Sequence, residues 1–226
     1  QGMQDHGVMA CAKHFPGHGN TSIDSHNELP VISGSKSYLM ENELKPFIDL
    51  IADSVQSIMI GHLNVPAYDS DVKLPASLSF NIITKLLKEK LGFNGLIITD
   101  ALDMKAVTNY NDAGETCVKA FNAGNDILLM PTSIRDGITA VYNAVKSGEI
   151  KLSRLNESVR KILSAKRWLK LDKQNYLKKD IPKRIRLEEH YSLSKKIAEH
   201  SVTIVKASSD LLPLDSSKYL KTFIVD

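Results

Sequence analysis

The chain has 226 residues, of which 42% are hydrophobic and 24% charged, with a formal net charge of +3. This composition is typical of a globular protein, and the length allows one large core or one domain with part of another. No apolar stretch is long enough to cross a membrane, so a transmembrane protein is not expected. The first residues lack the charged and apolar regions of a signal peptide, which says nothing about a longer gene product.

The basic residues are concentrated in one segment. Residues 151–186 hold thirteen Lys or Arg and three Asp or Glu. Because this segment has no aromatic interleaving and no binding motif, we expect a solvated helix and linker there, not a nucleic-acid surface. Cys11 and Cys117 lie in a strand-like and a helix-like apolar run, which predicts buried thiols and leaves the redox compartment open.

The apolar pattern predicts a strand, a loop and a helix four times in succession. The predicted strands are 8–15, 55–61, 95–99 and 126–130. The predicted helices are 38–52, 79–91 with Ser79 as its cap, 114–122, 134–147 and 152–169. Further along, a helix is predicted at 187–200 and strands at 201–206 and 222–225.

Continuous apolar strands that alternate with amphipathic helices predict an α/β fold, in which helices cover a parallel sheet. Polar loops follow the strands, whereas the returns from helix to strand, such as residues 91–95, are short and rich in glycine. This asymmetry is typical of the working face of a (β/α)8 TIM barrel. A doubly wound sheet is the alternative, but no Gly-x-Gly-x-x-Gly turn supports a dinucleotide site.

Four strands make only half of such a barrel. A half barrel leaves inward side chains unpacked and two sheet edges unpaired. We therefore expect residues 1–170 to be the C-terminal half of a barrel whose first half is missing or supplied by another chain. Residues 171–186 are predicted to form a basic linker, and residues 187–226 the beginning of a second α/β domain.

Asp100 directly follows the predicted strand 95–99, at the end where barrel enzymes carry their catalytic groups. A carboxylate at this position is a candidate nucleophile or electrostatic stabiliser. The alternative is a helix cap or a solvated loop carboxylate. Asp103, three residues further on, is the weaker candidate of the two.

Asp24 and His26 form an Asp-x-His pair in the loop after the first strand. A carboxylate beside an imidazole fixes its tautomer and raises its basicity. The pair could therefore protonate a leaving group and later take a proton from water. An ordinary surface turn is the alternative for this pair taken alone.

Lys13 and His14 end the first predicted strand, where their side chains can reach a ligand over the barrel mouth and donate hydrogen bonds to it. His62 follows the second strand and is predicted to line the same pocket. The alternatives are a solvated strand-end charge for Lys13 and an ordinary loop group for His62. The spacing of His14, His18, His26 and His62 fits no zinc motif, so no metal site is predicted.

Several motifs are more specific than these positions, and together they resemble glycoside hydrolase family 3, in its β-N-acetylglucosaminidase (NagZ-like) branch. In chain order they are KHFPGHG at 13–19, DSH at 24–26, LP at 29–30, PASLS at 75–79, LGFNG at 91–95 and TDALDMK at 99–105. The resemblance covers about residues 8–170. The tail from about residue 187 is similar to the start of the sandwich-like second domain that many family members carry.

The resemblance implies a role for each candidate. Asp100 matches the catalytic nucleophile, which forms a covalent glycosyl-enzyme intermediate, and His26 matches the acid/base with Asp24 as its partner. Lys13 and His14 match residues that hold the sugar hydroxyls. The implied activity is that of a retaining exo-β-N-acetylglucosaminidase on peptidoglycan-derived muropeptides or related glycoconjugates, with no metal or organic cofactor.

Other activities stay open at this point. One is a family 3 β-glucosidase, and another is a phosphorylase, because an imidazole acid/base repels phosphate less than a carboxylate would. A third is a non-catalytic carbohydrate-binding fragment, since the first half of the barrel normally supplies further sugar-binding residues. The expected partners are a carbohydrate substrate and the missing half barrel. The two-domain layout favours the cell envelope, periplasm or exterior, with a cytoplasmic location as the alternative.

Overall fold

The computed structural model describes residues 1–21, 28–109, 112–172 and 185–203, and the chain forms two compact units, Gln1–Lys173 and Gln174–Asp226. The strands of the first unit are β1 (Cys11–Phe15), β2 (Ser57–Ile60) and β3 (Leu96–Thr99). Its helices are α1 (Gly2–Asp5), α2 (Lys36–Glu41), α3 (Lys45–Ala52), α4 (Asn81–Lys90), α5 (Lys105–Thr108), α6 (Ala113–Ala123), α7 (Ile134–Ser147) and α8 (Leu152–Trp168), with a 3₁₀ turn at Ala76–Leu78. The described helix of the second unit is α9 (Glu188–Ser201).

The three strands form one parallel sheet in the order β1, β2, β3. Strand β2 lies in the middle, and its residues pair with β3 in continuous register from Ser57 opposite Leu96 to Ile60 opposite Thr99. Since the strands are parallel, their carboxyl ends meet at one edge of the sheet. The predicted α/β class with helices around a parallel sheet is confirmed.

The core lies between this sheet and the helices that follow its strands. Buried side chains of the sheet pack with buried side chains of α2, α3 and α4: Phe15, Ile58, Ile60, Ile97, Leu39, Phe47, Ile82, Ile83, Leu86 and Leu87. Burying an aliphatic or aromatic side chain of this size stabilises a fold by roughly 1.5–3 kcal/mol relative to leaving it exposed. The core therefore fixes the sheet, and with it the carboxyl edge.

The predicted fourth strand is shorter than expected. Ile127 forms a single parallel bridge to Ile98, and two residues further on the Leu129 N–H donates to the Thr99 hydroxyl at 2.9 Å and not to a backbone carbonyl. Met130 then takes a positive φ of 48°, and Pro131 has no N–H to offer a ladder. The segment lies beside β3 as predicted, but among the described residues it does not extend into a strand.

The prediction of one helix over residues 38–52 is wrong, because the structure divides it into α2 and α3. Pro46 lacks an N–H, and its ring would clash with the carbonyl four residues earlier in a continuous helix. The Asn42 side chain fills part of the gap by donating to the Tyr38 carbonyl at 2.9 Å. The predicted cap at Ser79 is present, as its hydroxyl accepts a hydrogen bond from the Ile82 N–H at 3.2 Å.

Two further sequence predictions concern smaller features. Cys117 is buried as predicted, but Cys11 is exposed, because β1 pairs with β2 alone among the described residues and leaves its other side uncovered. The predicted helix 187–200 corresponds to α9. Ser201, expected to open a strand, instead ends that helix, and the predicted strand 222–225 lies outside the described residues. The part of the chain that the structure describes contains no helix suited in length and hydrophobicity to crossing a membrane.

A buried carboxylate ties α8 to the amino end of the sheet. Asp126, whose side chain is fully buried, accepts hydrogen bonds from the Ile97 N–H at 3.1 Å and the Ser158 hydroxyl at 2.5 Å. Arg154 and Lys161 of α8 lie 3.3 Å and 3.5 Å from its two oxygens. These contacts neutralise the buried charge and orient the helix that closes this side of the sheet.

Replacing Asp126 with Ala is expected to lower the free energy of unfolding by about 3–5 kcal/mol, because two cations lose their buried partner. Glu157→Ala is the matched control, since Glu157 is a half-exposed partner of the same cations. Its loss should cost no more than about 1 kcal/mol. Trp168, the one tryptophan in the sequence, ends α8, so its fluorescence during urea unfolding measures both variants. Equal costs would show that the buried network does not hold α8.

Candidate active site

The candidate site lies at the carboxyl edge of the sheet. Asp100 directly follows β3, and its backbone N–H donates to the Ile60 carbonyl at 2.8 Å, which extends the pairing with β2 by one residue. The Ala101 N–H donates to Oδ1 of Asp100 at 2.9 Å. The Asp100 side chain retains 18% exposure. A carboxylate is thus held at a fixed point of the sheet edge, with its second oxygen facing the rest of the site.

His14 of β1 faces this second oxygen across the end of β2. Its Nε2 lies 3.6 Å from Oδ2 of Asp100, which is within ion-pair distance and longer than a hydrogen bond. Gly61 makes this approach feasible, because a Cβ at that position would lie 3.0 Å from the Cβ of His14. The structure therefore brings together two residues that the sequence analysis selected separately.

His62 lies in the buried interior next to Asp100 and bonds the backbone of the following residue, Ala101. It is fully buried, its Nε2 lies 2.8 Å from the Ala101 carbonyl, and its Nδ1 lies 2.7 Å from the Ser77 hydroxyl. Burial lowers the pKa of the imidazole below its ordinary value of 6.5, although the Ala101 carbonyl and the Asp100 charge act in the opposite direction. With both ring nitrogens bonded to protein groups, His62 does not fit its predicted role as a direct substrate ligand.

Ser77 and Asn125 complete this buried layer, and the sequence analysis did not select either of them. Both are fully buried, and the Asn125 amide donates to the Ser77 carbonyl at 2.9 Å and the Ala120 carbonyl at 2.6 Å. The sequence features that could have pointed to them are the position of Ser77 within the apolar PASLS run and the position of Asn125 directly after the Ala-Gly turn that ends α6. Neither residue type reveals burial from sequence alone.

Lys13 is exposed in the middle of β1, not at its end as predicted, and lies in a groove of about 740 Å³ that His14, His18 and Glu43 also line. Asp100 does not line this groove, which runs along the outer side of β1. The rings of His14 and His18 lie edge to face with their centres 6.2 Å apart. Among the described residues, no group of three or more His, Cys, Asp or Glu is placed to hold a metal ion.

The loop that leaves β1 is anchored at both of its described ends. Gly17 has φ +125°, and a Cβ there would lie 2.7 Å from the Cβ of Glu43, so only glycine fits this turn. The chain returns to the sheet where Val31 bridges Asn64 in the loop after β2. The predicted proton-transfer pair, Asp24 and His26, lies outside the described residues, so its roles stay predictions.

The buried His62 predicts a pH dependence of folding. Because the folded protein binds a proton at His62 less readily than the unfolded chain does, the free energy of unfolding should fall as pH decreases below about 6.5. His62→Gln keeps a polar side chain without this titration and should flatten the dependence. Urea unfolding of both proteins between about pH 5 and pH 8 measures the two slopes. Identical slopes would contradict the lowered pKa.

Comparison with known proteins extends the match over most of the chain. A family model described as the glycosyl hydrolase family 3 N terminal domain matches residues 1–165. Beta-hexosaminidase A of Pseudoalteromonas piscicida is 32% identical over 179 residues, which are 71% of this chain and 30% of that relative. A beta-N-acetylglucosaminidase/beta-glucosidase of Cellulomonas fimi is 27% identical over 236 residues, covering 100% of this chain and 42% of the relative.

Solved structures agree with this match. A glycoside hydrolase family 3 beta-N-acetylglucosaminidase from Paenibacillus sp. str. FPU-7 superposes with a TM-score of 0.87 at 35% identity, covering 96% of this chain and 41% of that one. A beta-glucoside phosphorylase superposes with a TM-score of 0.86 at 28% identity over the same shares. The chain thus spans less than half the length of these relatives. On the family model and these structures together, the chain belongs to glycosyl hydrolase family 3.

Proposed function

We propose that the chain carries the nucleophile half of the active site of a retaining exo-β-N-acetylglucosaminidase. The observation that supports this most directly is Asp100, held at the carboxyl end of β3 by two backbone hydrogen bonds with its free oxygen facing His14. The relatives named hexosaminidases and N-acetylglucosaminidases favour the terminal N-acetylglucosamine of muropeptides or glycoconjugates as the substrate.

In the proposed first step, Oδ2 of Asp100 attacks the anomeric carbon of the sugar. The Oδ1 atom is engaged by the Ala101 N–H, which leaves Oδ2 as the attacking oxygen. As the new carbon–oxygen bond forms, the bond to the leaving oxygen breaks, and His26 donates its proton to that oxygen. The product of this step is a covalent glycosyl-enzyme with the leaving alcohol released.

In the second step, His26 takes a proton from water, and the water oxygen attacks the same carbon from the opposite face. The bond to Asp100 breaks and its carboxylate is restored. Two inversions at one carbon give net retention. Asp24 orients the His26 imidazole, while Lys13 and His14 donate hydrogen bonds to the sugar hydroxyls. The proposed steps use neither a metal ion nor an organic cofactor.

We also propose that residues 1–170 form the C-terminal half of a TIM barrel and need a complementary half. The support comes from surfaces that a closed barrel would cover. Ile134, Ile138 and Tyr142 of α7 are each more than 60% exposed along one side of the helix. The relatives are more than twice as long as this chain. Residues 171–186 would then be a linker and residues 187–226 the start of a second domain.

Phosphorolysis is the second candidate. It is favoured by the similarity to a beta-glucoside phosphorylase and by the proposed imidazole acid/base, which adds no second negative charge beside an incoming phosphate. A β-glucosidase activity is a related alternative, since the Cellulomonas fimi relative carries both names. A carbohydrate-binding fragment without turnover is the alternative in which the complementary half barrel is never supplied.

The test is a kinetic comparison of wild type, Asp100→Ala and His26→Ala in the complete gene product, on aryl β-N-acetylglucosaminides of graded leaving-group ability. Asp100→Ala should reduce kcat at least about 10³-fold for every substrate, because no covalent intermediate can form. His26→Ala should reduce turnover about 10²-fold or more for poor leaving groups and far less for activated ones.

Three outcomes would contradict parts of this proposal. Substantial turnover by Asp100→Ala would remove the nucleophile assignment, and equal losses for all leaving groups in His26→Ala would remove the acid role. Sugar 1-phosphate as the main product in phosphate buffer would identify a phosphorylase. Glu89→Ala is the matched control, because this exposed carboxylate pairs only with Lys85 in the described structure and should leave kcat unchanged.

A further inference from the structure

We propose that His62 is a positioning residue for Asp100, acting through the peptide carbonyl of Ala101. This inference rests on the proposed function, because it assigns a role in holding the proposed nucleophile. It replaces the expectation that His62 contacts substrate. The observations that carry it are the burial of His62, the two hydrogen bonds of its ring, and the hydrogen bonds of both backbone groups of Ala101.

The hydrogen bonds fix the tautomer of His62. A backbone carbonyl only accepts, so the Nε2 atom that lies 2.8 Å from the Ala101 oxygen must carry the proton. In the neutral ring Nδ1 is then the acceptor, and the Ser77 hydroxyl donates to it at 2.7 Å. Both nitrogens are satisfied in one orientation, so the ring cannot flip without losing both bonds.

The support beneath His62 is itself rigid. Ser77 lies in the buried 3₁₀ turn, and its carbonyl accepts the Asn125 amide, which also bonds the Ala120 carbonyl at the end of α6. The layer therefore joins the loop after β2, the 3₁₀ turn, α6 and the start of the fourth sheet segment. The His62 ring is thus bonded to a turn that is itself fixed, and it has little freedom to relax.

The backbone of Ala101 transmits this support to Asp100. Its carbonyl is fixed by His62, and its N–H donates to Oδ1 of Asp100 at 2.9 Å. If the His62 donor is lost, the partly buried Ala101 carbonyl needs another partner, and the following loop shifts with it. A misplacement of about 1 Å at a reacting atom can cost roughly 10²-fold in rate. An apolar core residue at position 62 could fill the space but could not hold this carbonyl.

The experiment uses the complete gene product and three variants of the buried layer. His62→Leu removes both ring bonds, Ser77→Ala removes the donor to Nδ1, and His62→Gln restores an N–H donor that can reach the Ala101 carbonyl. Ser57→Ala is the control, because this buried hydroxyl bonds the Ala10 carbonyl at the amino end of the same strand, far along β2 from Asp100.

On activated aryl β-N-acetylglucosaminides, His62→Leu should lose about 30–100-fold in kcat with KM changed less than about threefold, since only the position of the nucleophile changes. The loss should be the same for poor leaving groups, unlike the loss expected for His26→Ala. His62→Gln should recover about tenfold of it. Ser77→Ala should lie between wild type and His62→Leu, and Ser57→Ala should match wild type.

A folded His62→Leu protein with wild-type kcat would overturn the inference, and so would a loss that grows with poorer leaving groups or falls on KM alone. If His62→Leu fails to fold, the inference is tested by the kcat values of His62→Gln, which keeps a donor to the Ala101 carbonyl, and Ser77→Ala, which lacks the donor to Nδ1. A kcat of His62→Gln no higher than that of Ser77→Ala would then overturn the inference. A wild-type protein that does not turn over these substrates would defeat the proposed function instead. In that case, crystal structures of wild type and His62→Leu test the positioning directly, and an Asp100 carboxylate in the same place although the Ala101 carbonyl has lost its donor would overturn it.

Discussion

The parallel pairing of β2 with both β1 and β3 places the candidate site residues at one edge of the sheet. Because β2 and β3 run in continuous register, the backbone of Asp100 can bond the Ile60 carbonyl directly after β3 ends. Because β1 pairs on the other side of β2, its His14 reaches across Gly61 to the same carboxylate. The site is thus a consequence of strand order and register. Neither residue could meet the other if the central strand were displaced by one position.

Buried polar side chains are satisfied in different ways at the two ends of this sheet. At the amino end, Asp126 is a buried charge that two cations and a hydroxyl of α8 satisfy. At the carboxyl end, burial lowers the pKa of His62 and so favours its neutral form, and both ring nitrogens have hydrogen-bond partners. The first arrangement fixes a helix onto the sheet, and the second supports the loop that carries Asp100. Stability and chemistry are therefore separated along the strands, as in barrel enzymes generally.

The three strands of the sheet, most of the helices and the place of Asp100 after a strand could be predicted from sequence, because each depends on local pattern. Short, mostly apolar runs predicted the strands. Asp100 directly follows one of these runs, which predicted its position at a strand end. The break between α2 and α3 could also have been predicted, since Pro46 cannot lie in the middle of a helix. The helix prediction followed the apolar periodicity across 38–52 and gave too little weight to Pro46, which is incompatible with a helix interior.

Which of these side chains are buried and which are exposed could not be predicted from the sequence. His62 and Lys13 were both predicted at or just after a strand end, yet His62 is fully buried and Lys13 is exposed, because β2 is central and β1 lies at the side of the described sheet. Ser77 and Asn125 matter only through the hydrogen bonds that burial forces on them. Such bonds join residues far apart in the chain, and no local pattern encodes them. The exposed thiol of Cys11 was missed for the same reason as the burial of His62.

The central claim is that Asp100 attacks the anomeric carbon of an N-acetylglucosaminide. The most direct measurement is peptide mapping by mass spectrometry after the complete gene product reacts with a fluorinated N-acetylglucosaminyl donor, whose covalent adduct breaks down slowly. We expect one sugar residue attached to the peptide that contains Asp100, through an ester with its carboxylate. Label on a different carboxylate, or rapid turnover of ordinary substrate with retention but no label at Asp100, would contradict it.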